Sequence, residues 1–192
     1  YSVEEGLPQS QVNAAIQSST GYLWLGTRGG GVARFDGHEF ESFSEKDGLP
    51  DSEVNALVED PDGAIWIGTR SGVARYRQGI IYPVVGLPDG LDVRALEIGP
   101  DGLVWAGTDE GVWTGNAQGL TRLVGPNPES AVNAILADSK DNVWLATDRG
   151  GLIRVTSTGY DSYAIGELYP GASARALVET GEGDLWIGTD RG

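Results

Sequence analysis

The chain has no cysteine and a single histidine, His38. Without cysteine there is no disulfide framework and no thiolate metal site. Positive charge is scarce too: 13 Lys and Arg stand against 28 Asp and Glu, for a net charge of −15. No run of Lys or Arg breaks this excess, so nucleic acids and anionic membranes would be repelled. No apolar run reaches the ~20 residues that span a bilayer, and no signal-peptide pattern is present. An export signal or anchor would have to lie outside these residues. The acidic charge itself reads as solubility. Glycine, by contrast, is abundant at 30 of 192 residues, as many tight turns require.

One strand pattern recurs five times. Trp-x-(Gly/Ala)-Thr appears at Trp24, Trp66, Trp105, Trp144 and Trp186, spaced 42, 39, 39 and 42 residues apart. A fixed period of this size marks a repeat array. A second marker sets the register: an apolar-polar-Ala triplet begins 12 positions before every Trp, as in Val12-Asn13-Ala14 and Val54-Asn55-Ala56. The distance from each Trp to the next triplet varies between 27 and 30. Constant spacing between variable ones predicts a rigid hairpin followed by looser ones.

The second copy shows the unit. Val54 to Val58 is a short β-like run, and Glu59-Asp60-Pro61-Asp62-Gly63 is a turn. Ala64 to Thr69 is almost wholly apolar, as expected of a strand buried on both faces. Arg70-Ser71-Gly72 turns into a third strand, and Gln78-Gly79 into a fourth. Four antiparallel strands per repeat of roughly 40 residues predict an all-β fold, a β-propeller with the tryptophans packed between neighbouring sheets. The strand pattern excludes helical repeats, and the lack of a Trp-Asp pair argues against the WD type.

A single propeller region over residues 1–192 is therefore expected. Its blades fall at about 6–47, 48–85, 86–124, 125–165 and 166–192. Residues 1–5 read as the end of an outer strand, because Tyr1 to Pro8 aligns with Phe43 to Pro50. The last blade lacks its outer hairpin, which favours part of a larger propeller over a closed five-bladed ring with one damaged blade. Open blade edges would then invite self-association.

Gly48-Leu49-Pro50, Val54-Asn55-Ala56, Trp66-Ile67-Gly68-Thr69 and Gly72 to Tyr76, with their four other copies, resemble the two-component regulator propeller repeat. Copies four and five drift, at Gly125-Pro126 and at Gly166-Glu167-Leu168-Tyr169-Pro170. The resemblance implies an extracytoplasmic, periplasmic sensor region of hybrid or histidine kinases or diguanylate cyclases. It also implies a small-molecule or oligosaccharide ligand. The repeat strand is similar to that of streptogramin-lyase-like propellers as well. A lyase is thus one alternative and a protein-interaction or dimerisation scaffold another.

In such a meander the turns between second and third strands share one face with the blade connections. That face carries Arg28, Arg70, Asp109, Asp148 and Arg149, candidates for ligand hydrogen bonds. Asn13, Asn55, Arg94, Asn133 and Arg175 occupy one equivalent position on the first strands. They would form either a polar ring around the axis or local hydrogen bonds to turns and strands. The opposite face collects turn acids, among them Asp60, Asp62, Asp101, Asp138 and Asp141. With no EF-hand spacing, they read as turn residues rather than metal ligands. Trp113 is expected in blade packing. Arg34, Arg75 and Arg154 are expected to be solvated or paired with carboxylates of neighbouring blades. No catalytic constellation and no cofactor site is visible, so the region is expected not to be an enzyme.

Overall fold

The computed structural model describes residues 6–123, 131–148, 151–164 and 172–191. Among the described residues it is all-β apart from one short 3-10 turn at Glu45–Asp47. Blade 1 is β1 (Val12–Gln17), β2 (Leu23–Thr27), β3 (Val32–Phe35) and β4 (Phe40–Phe43). Blade 2 is β5 (Val54–Glu59), β6 (Ile65–Thr69), β7 (Gly72–Arg77) and β8 (Ile80–Pro83). Blade 3 is β9 (Val93–Ile98), β10 (Val104–Thr108), β11 (Gly111–Asn116) and β12 (Gly119–Arg122). Blade 4 is β13 (Val132–Ala137), β14 (Val143–Thr147), β15 (Gly151–Thr156) and β16 (Gly159–Tyr163). Blade 5 holds β17 (Ala174–Glu179) and β18 (Leu185–Thr189). Each blade is an antiparallel meander, and the sheets do not close into a ring.

The core lies between blades rather than within them. Trp24, Val32 and Phe43 of blade 1 pack on Val54, Leu57, Ile65 and Ile67 of blade 2. Trp66 and Val73 of blade 2 pack on Val93, Leu96, Val104 and Trp113 of blade 3. Trp105 and Val112 of blade 3 pack on Val132, Ile135, Val143 and Leu145 of blade 4. Trp113 is thus a packing residue, 3% exposed. Trp186 has no following sheet against it and is 66% exposed, whereas Trp66 is 2% exposed.

The small residue of the Trp strand has a steric cause. A Cβ on Gly26 would lie 2.6 Å from Val54 Cγ1, and one on Gly68 would lie 2.8 Å from Val93 Cγ1. The same contact on Gly107 would be 2.8 Å from Val132 Cγ1. At the last joint the pair is Ala146 with Ala174, both fully buried. There the sheet that gains a methyl faces one whose side chain is two carbons smaller, so the added Cβ is accommodated. The threonine follows because its buried hydroxyl closes the next turn. Thr69 Oγ1 donates to the Gly72 carbonyl at 2.9 Å, as Thr27 does to Gly31 at 2.8 Å.

Candidate functional site

The polar residue of every triplet sits at a β-bulge. The pairing of first and second strands skips Asn13, Asn55, Arg94, Asn133 and Arg175. A bulge re-aims the side chain it carries. Here it turns Asn13, Asn55, Arg94 and Asn133 toward the next blade, and Arg175 toward Asp148 of the preceding one. Asn13 Nδ2 donates to the Val54 carbonyl at 3.2 Å, Asn55 to Val93 at 3.2 Å and Asn133 to Ala174 at 2.9 Å. Of the two readings left open by the sequence, pairing to strand backbone is the one these three asparagines make, across the joint to the next blade.

Charged groups complete it. Arg94 reaches Asp92 at 3.3 Å, Asn133 Oδ1 at 3.1 Å and Asp148 at 3.6 Å. Arg175 reaches Asp148 at 3.3 Å and Asp190 at 3.8 Å. Burial pushes the Asp148 carboxyl up, but the Asn133 hydrogen bond and the Arg175 charge, with Ser173 and Arg94, outweigh it. The net shift is below the ordinary aspartate value. Asp148 therefore remains a carboxylate.

Arg28, Glu53, Asn55, Arg70, Asp92 and Arg94 line one open basin of about 430 Å³. Arg28 and Arg70 approach the same carboxylate, Glu53, at 3.7 and 3.5 Å, and both remain more than half exposed. A guanidinium has five N–H donors in a fixed fork, and one long contact to Glu53 leaves most of them directed at solvent. Glu53 and Asp92 were not foreseen from sequence. They precede the triplets of copies two and three, whereas the same position elsewhere is Gln11, Ala131 and Ser173, so the period gives no signal. Asp109 is exposed and joins the basin only through its backbone N–H, which donates to the Asp92 carbonyl at 3.1 Å. Arg149 lies outside the described residues.

Two expectations for the other arginines need correction. Arg34, Arg75 and Arg154 pair with carboxylates of their own blades, Glu41, Asp60 and Asp161, rather than of neighbouring ones. Nor is Arg75 solvated: its side chain is 12% exposed and stacks over Trp66 at 5.5 Å. The turn acids at this end of the strands close their own turns. Asp60 Oδ1 accepts from the Asp62 and Ala64 N–H groups, and Asp138 Oδ1 from those of Lys140 and Asn142. Among the described residues no three His, Cys, Asp or Glu side chains group as metal ligands would. His38 sits in the β3–β4 turn, at the end of blade 1 away from the basin, with its N–H on Asp36 Oδ1 at 2.7 Å.

Residues 6–29, 48–71 and 169–191 match the family model "Two component regulator propeller". The match is a likeness to that repeat over these three segments. No curated protein matches the chain in sequence. Solved structures that resemble these repeats include the extracellular domain of a hybrid two-component system of B. thetaiotaomicron. It aligns with a TM-score of 0.80 at 20% identity, over 95% of this chain and 26% of that one. Virginiamycin B lyase from Staphylococcus aureus aligns with a TM-score of 0.78 at 18% identity, over 93% and 63% of the two chains. A GH74 enzyme of Niastella koreensis aligns with 0.70 at 13%, over 93% and 33%. The chain thus spans about a quarter of the extracellular domain it matches. At these identities the likeness is one of fold. No helix among the described residues is long and apolar enough to cross a membrane.

Proposed function

We propose that this propeller is the non-catalytic, ligand-sensing part of an extracytoplasmic two-component-type receptor, and that its ligand binds at the basin of Arg28, Glu53, Asn55, Arg70, Asp92 and Arg94. The carrying observation is the convergence of three guanidiniums and two carboxylates on one open space, with most donors of Arg28 and Arg70 unused. The likeness to regulator propeller repeats supports the signalling role. The basin offers donors and acceptors in alternation, which suits the hydroxyls of a sugar or oligosaccharide. Its two carboxylates, Glu53 and Asp92, are each held by arginines, an arrangement that suits hydrogen bonding to a ligand more than proton transfer. The exposed Trp186 face also provides a surface for self-association.

The test is a thermal-shift and calorimetric screen of the 192-residue chain against neutral and acidic oligosaccharides. A saturable ligand is expected, and Arg28→Gln with Arg70→Gln should weaken it at least about tenfold through the loss of charge-assisted hydrogen bonds. Both arginines are exposed, so the double variant keeps the fold. Folded protein that binds nothing in the screen, or binding indifferent to the double variant, would count against the reading.

A further inference from the structure

Blade 3 departs from its neighbours around one tryptophan. In blade 2 the Asp60 carboxylate accepts from Trp66 Nε1 at 2.8 Å and from Arg75 at 2.7 Å. In blade 4 Asp138 accepts from Trp144 Nε1 at 2.8 Å. In blade 3 the position of that aspartate is Gly99, and the cross-strand position of Arg75 is Thr114. On the other side of the tryptophan, where blades 2 and 4 have Val58 and Leu136, blade 3 has Glu97. As a result Trp105 Nε1 and Thr114 Oγ1 are buried polar atoms without a protein partner, the two found among the described residues. Buried polar groups are paired in the large majority of cases, so two orphans on adjacent strands require a cause.

Trp105 is 6% exposed and lines a cavity of about 370 Å³ between blades 3 and 4. Pro100, Asp101, Asp141, Val143 and Thr156 are among its other walls. The equivalent groove between blades 2 and 3 is lined by Asp60, Trp66 and Arg75, whose polar groups satisfy one another. Both grooves lie at the turn end opposite the axial basin.

We propose that the groove between blades 3 and 4 binds a small neutral polyhydroxylated molecule, a monosaccharide or polyol, whose oxygen accepts from Trp105 Nε1 where blades 2 and 4 supply aspartate. The repeat itself shows what the indole requires, an oxygen acceptor. No Lys or Arg lines the groove to balance an anion, and burying an unbalanced charge is costly. Asp101 and Asp141 accept from hydroxyl protons, while Val143, Val155 and Pro100 form a bed for a carbon skeleton. Asp101 Oδ1 accepts from the Leu103 N–H at 3.0 Å. A Cβ on Gly99 would stand 2.4 Å from Trp105 Nε1 and 2.7 Å from Asp101 Oδ1, so both atoms crowd the glycine.

The side-chain indole N–H resonance of Trp105, assigned with Trp105→Phe, reports the site directly. Titration of the full chain with glucose, galactose, mannose and myo-inositol should move that resonance saturably with at least one probe. The resonances of Trp66 and Trp144 should stay in place. Gly99→Asp supplies an internal acceptor and should abolish the response. Because this change crowds Trp105, Ser157→Trp, at an exposed position on the rim, serves as a second variant that blocks entry and should weaken binding about fivefold or more. A Trp105 resonance unmoved by every probe, or a crystal structure with a single water on Nε1 in the presence of saturating sugar, would overturn the proposal. Loss of basin binding in Arg28→Gln with Arg70→Gln leaves the Trp105 response intact if the two sites are separate. Its disappearance in that variant would also refute a distinct groove site.

Discussion

Blades 2 and 3 share a strand order, a tryptophan and a tight joint, yet they treat that tryptophan differently. In blade 2 a half-buried aspartate, Asp60, holds the indole N–H and a guanidinium together. In blade 3 both charged partners are replaced, by Gly99 and Thr114, and a half-buried glutamate, Glu97, stands across the strand. The fold survives both arrangements because the interblade contact is made by ring area, which the two tryptophans bury alike. The polar atoms around the ring are a separate layer. Their loss leaves architecture intact and shifts where a ligand or a proton can act.

The largest difference should come from Asp60. Its removal leaves the Arg75 charge and the Trp66 N–H uncompensated at sites only 12% and 2% exposed. Asp60→Ala should therefore cost about 3 kcal/mol of unfolding free energy, measured by urea titration. A loss below about 1 kcal/mol would show that the triad is ornamental and that blades 2 and 3 are energetically equivalent. Smaller and cleaner is the paired exchange of Trp66→Phe and Trp105→Phe. Both lose similar ring area, but only the first breaks a hydrogen bond to a carboxylate. Trp66→Phe should be worse by about 1.5 kcal/mol. Equal costs would break the comparison.

The smallest effect is in pH dependence, and its sign differs between the blades. Burial pushes the Asp60 carboxyl up, but hydrogen bonds from Trp66 and Arg75 win and leave it below its ordinary value. The unfolded chain thus takes up its proton first as pH falls. The contribution of Asp60 is present above the usual aspartate range and lost below it. For Glu97 burial dominates and raises the value. Its ionised form is penalised at neutral pH, and the penalty fades as pH falls into the usual glutamate range. Asp60→Asn should consequently destabilise at neutral pH and Glu97→Gln should stabilise. Both differences should shrink toward zero in acid, as read from urea midpoints at successive pH values. The same sign for both variants would contradict the assigned environments.

Much of the scaffold was legible in the residues. Trp-x-(Gly/Ala)-Thr reports a contact between sheets that every blade must make, so it recurs with the blade. The site was legible only in part. Asn13, Asn55 and Asn133 stood out through their repeated position, and the bulge that aims them is a property of strand pairing. Glu53 and Asp92 left no periodic trace, because the other copies hold Gln11, Ala131 and Ser173 there, and Glu53 meets Arg28 only once blades 1 and 2 are stacked. The partners of Arg34, Arg75 and Arg154 were misplaced for a related reason. Sequence distance does not reveal that the cross-strand neighbour of Trp66 also reaches the turn six residues before it.

The sequence by itself determined the period, the strand order and the small residue beside each tryptophan. These are local and repeated, and each is set by steric or turn chemistry within one unit. The tertiary structure decided which charges meet at the axis, which tryptophan keeps an acceptor and which is left without one. Those outcomes depend on atoms from different strands and blades arriving within about 3 Å of one another, a distance that no spacing along the chain encodes.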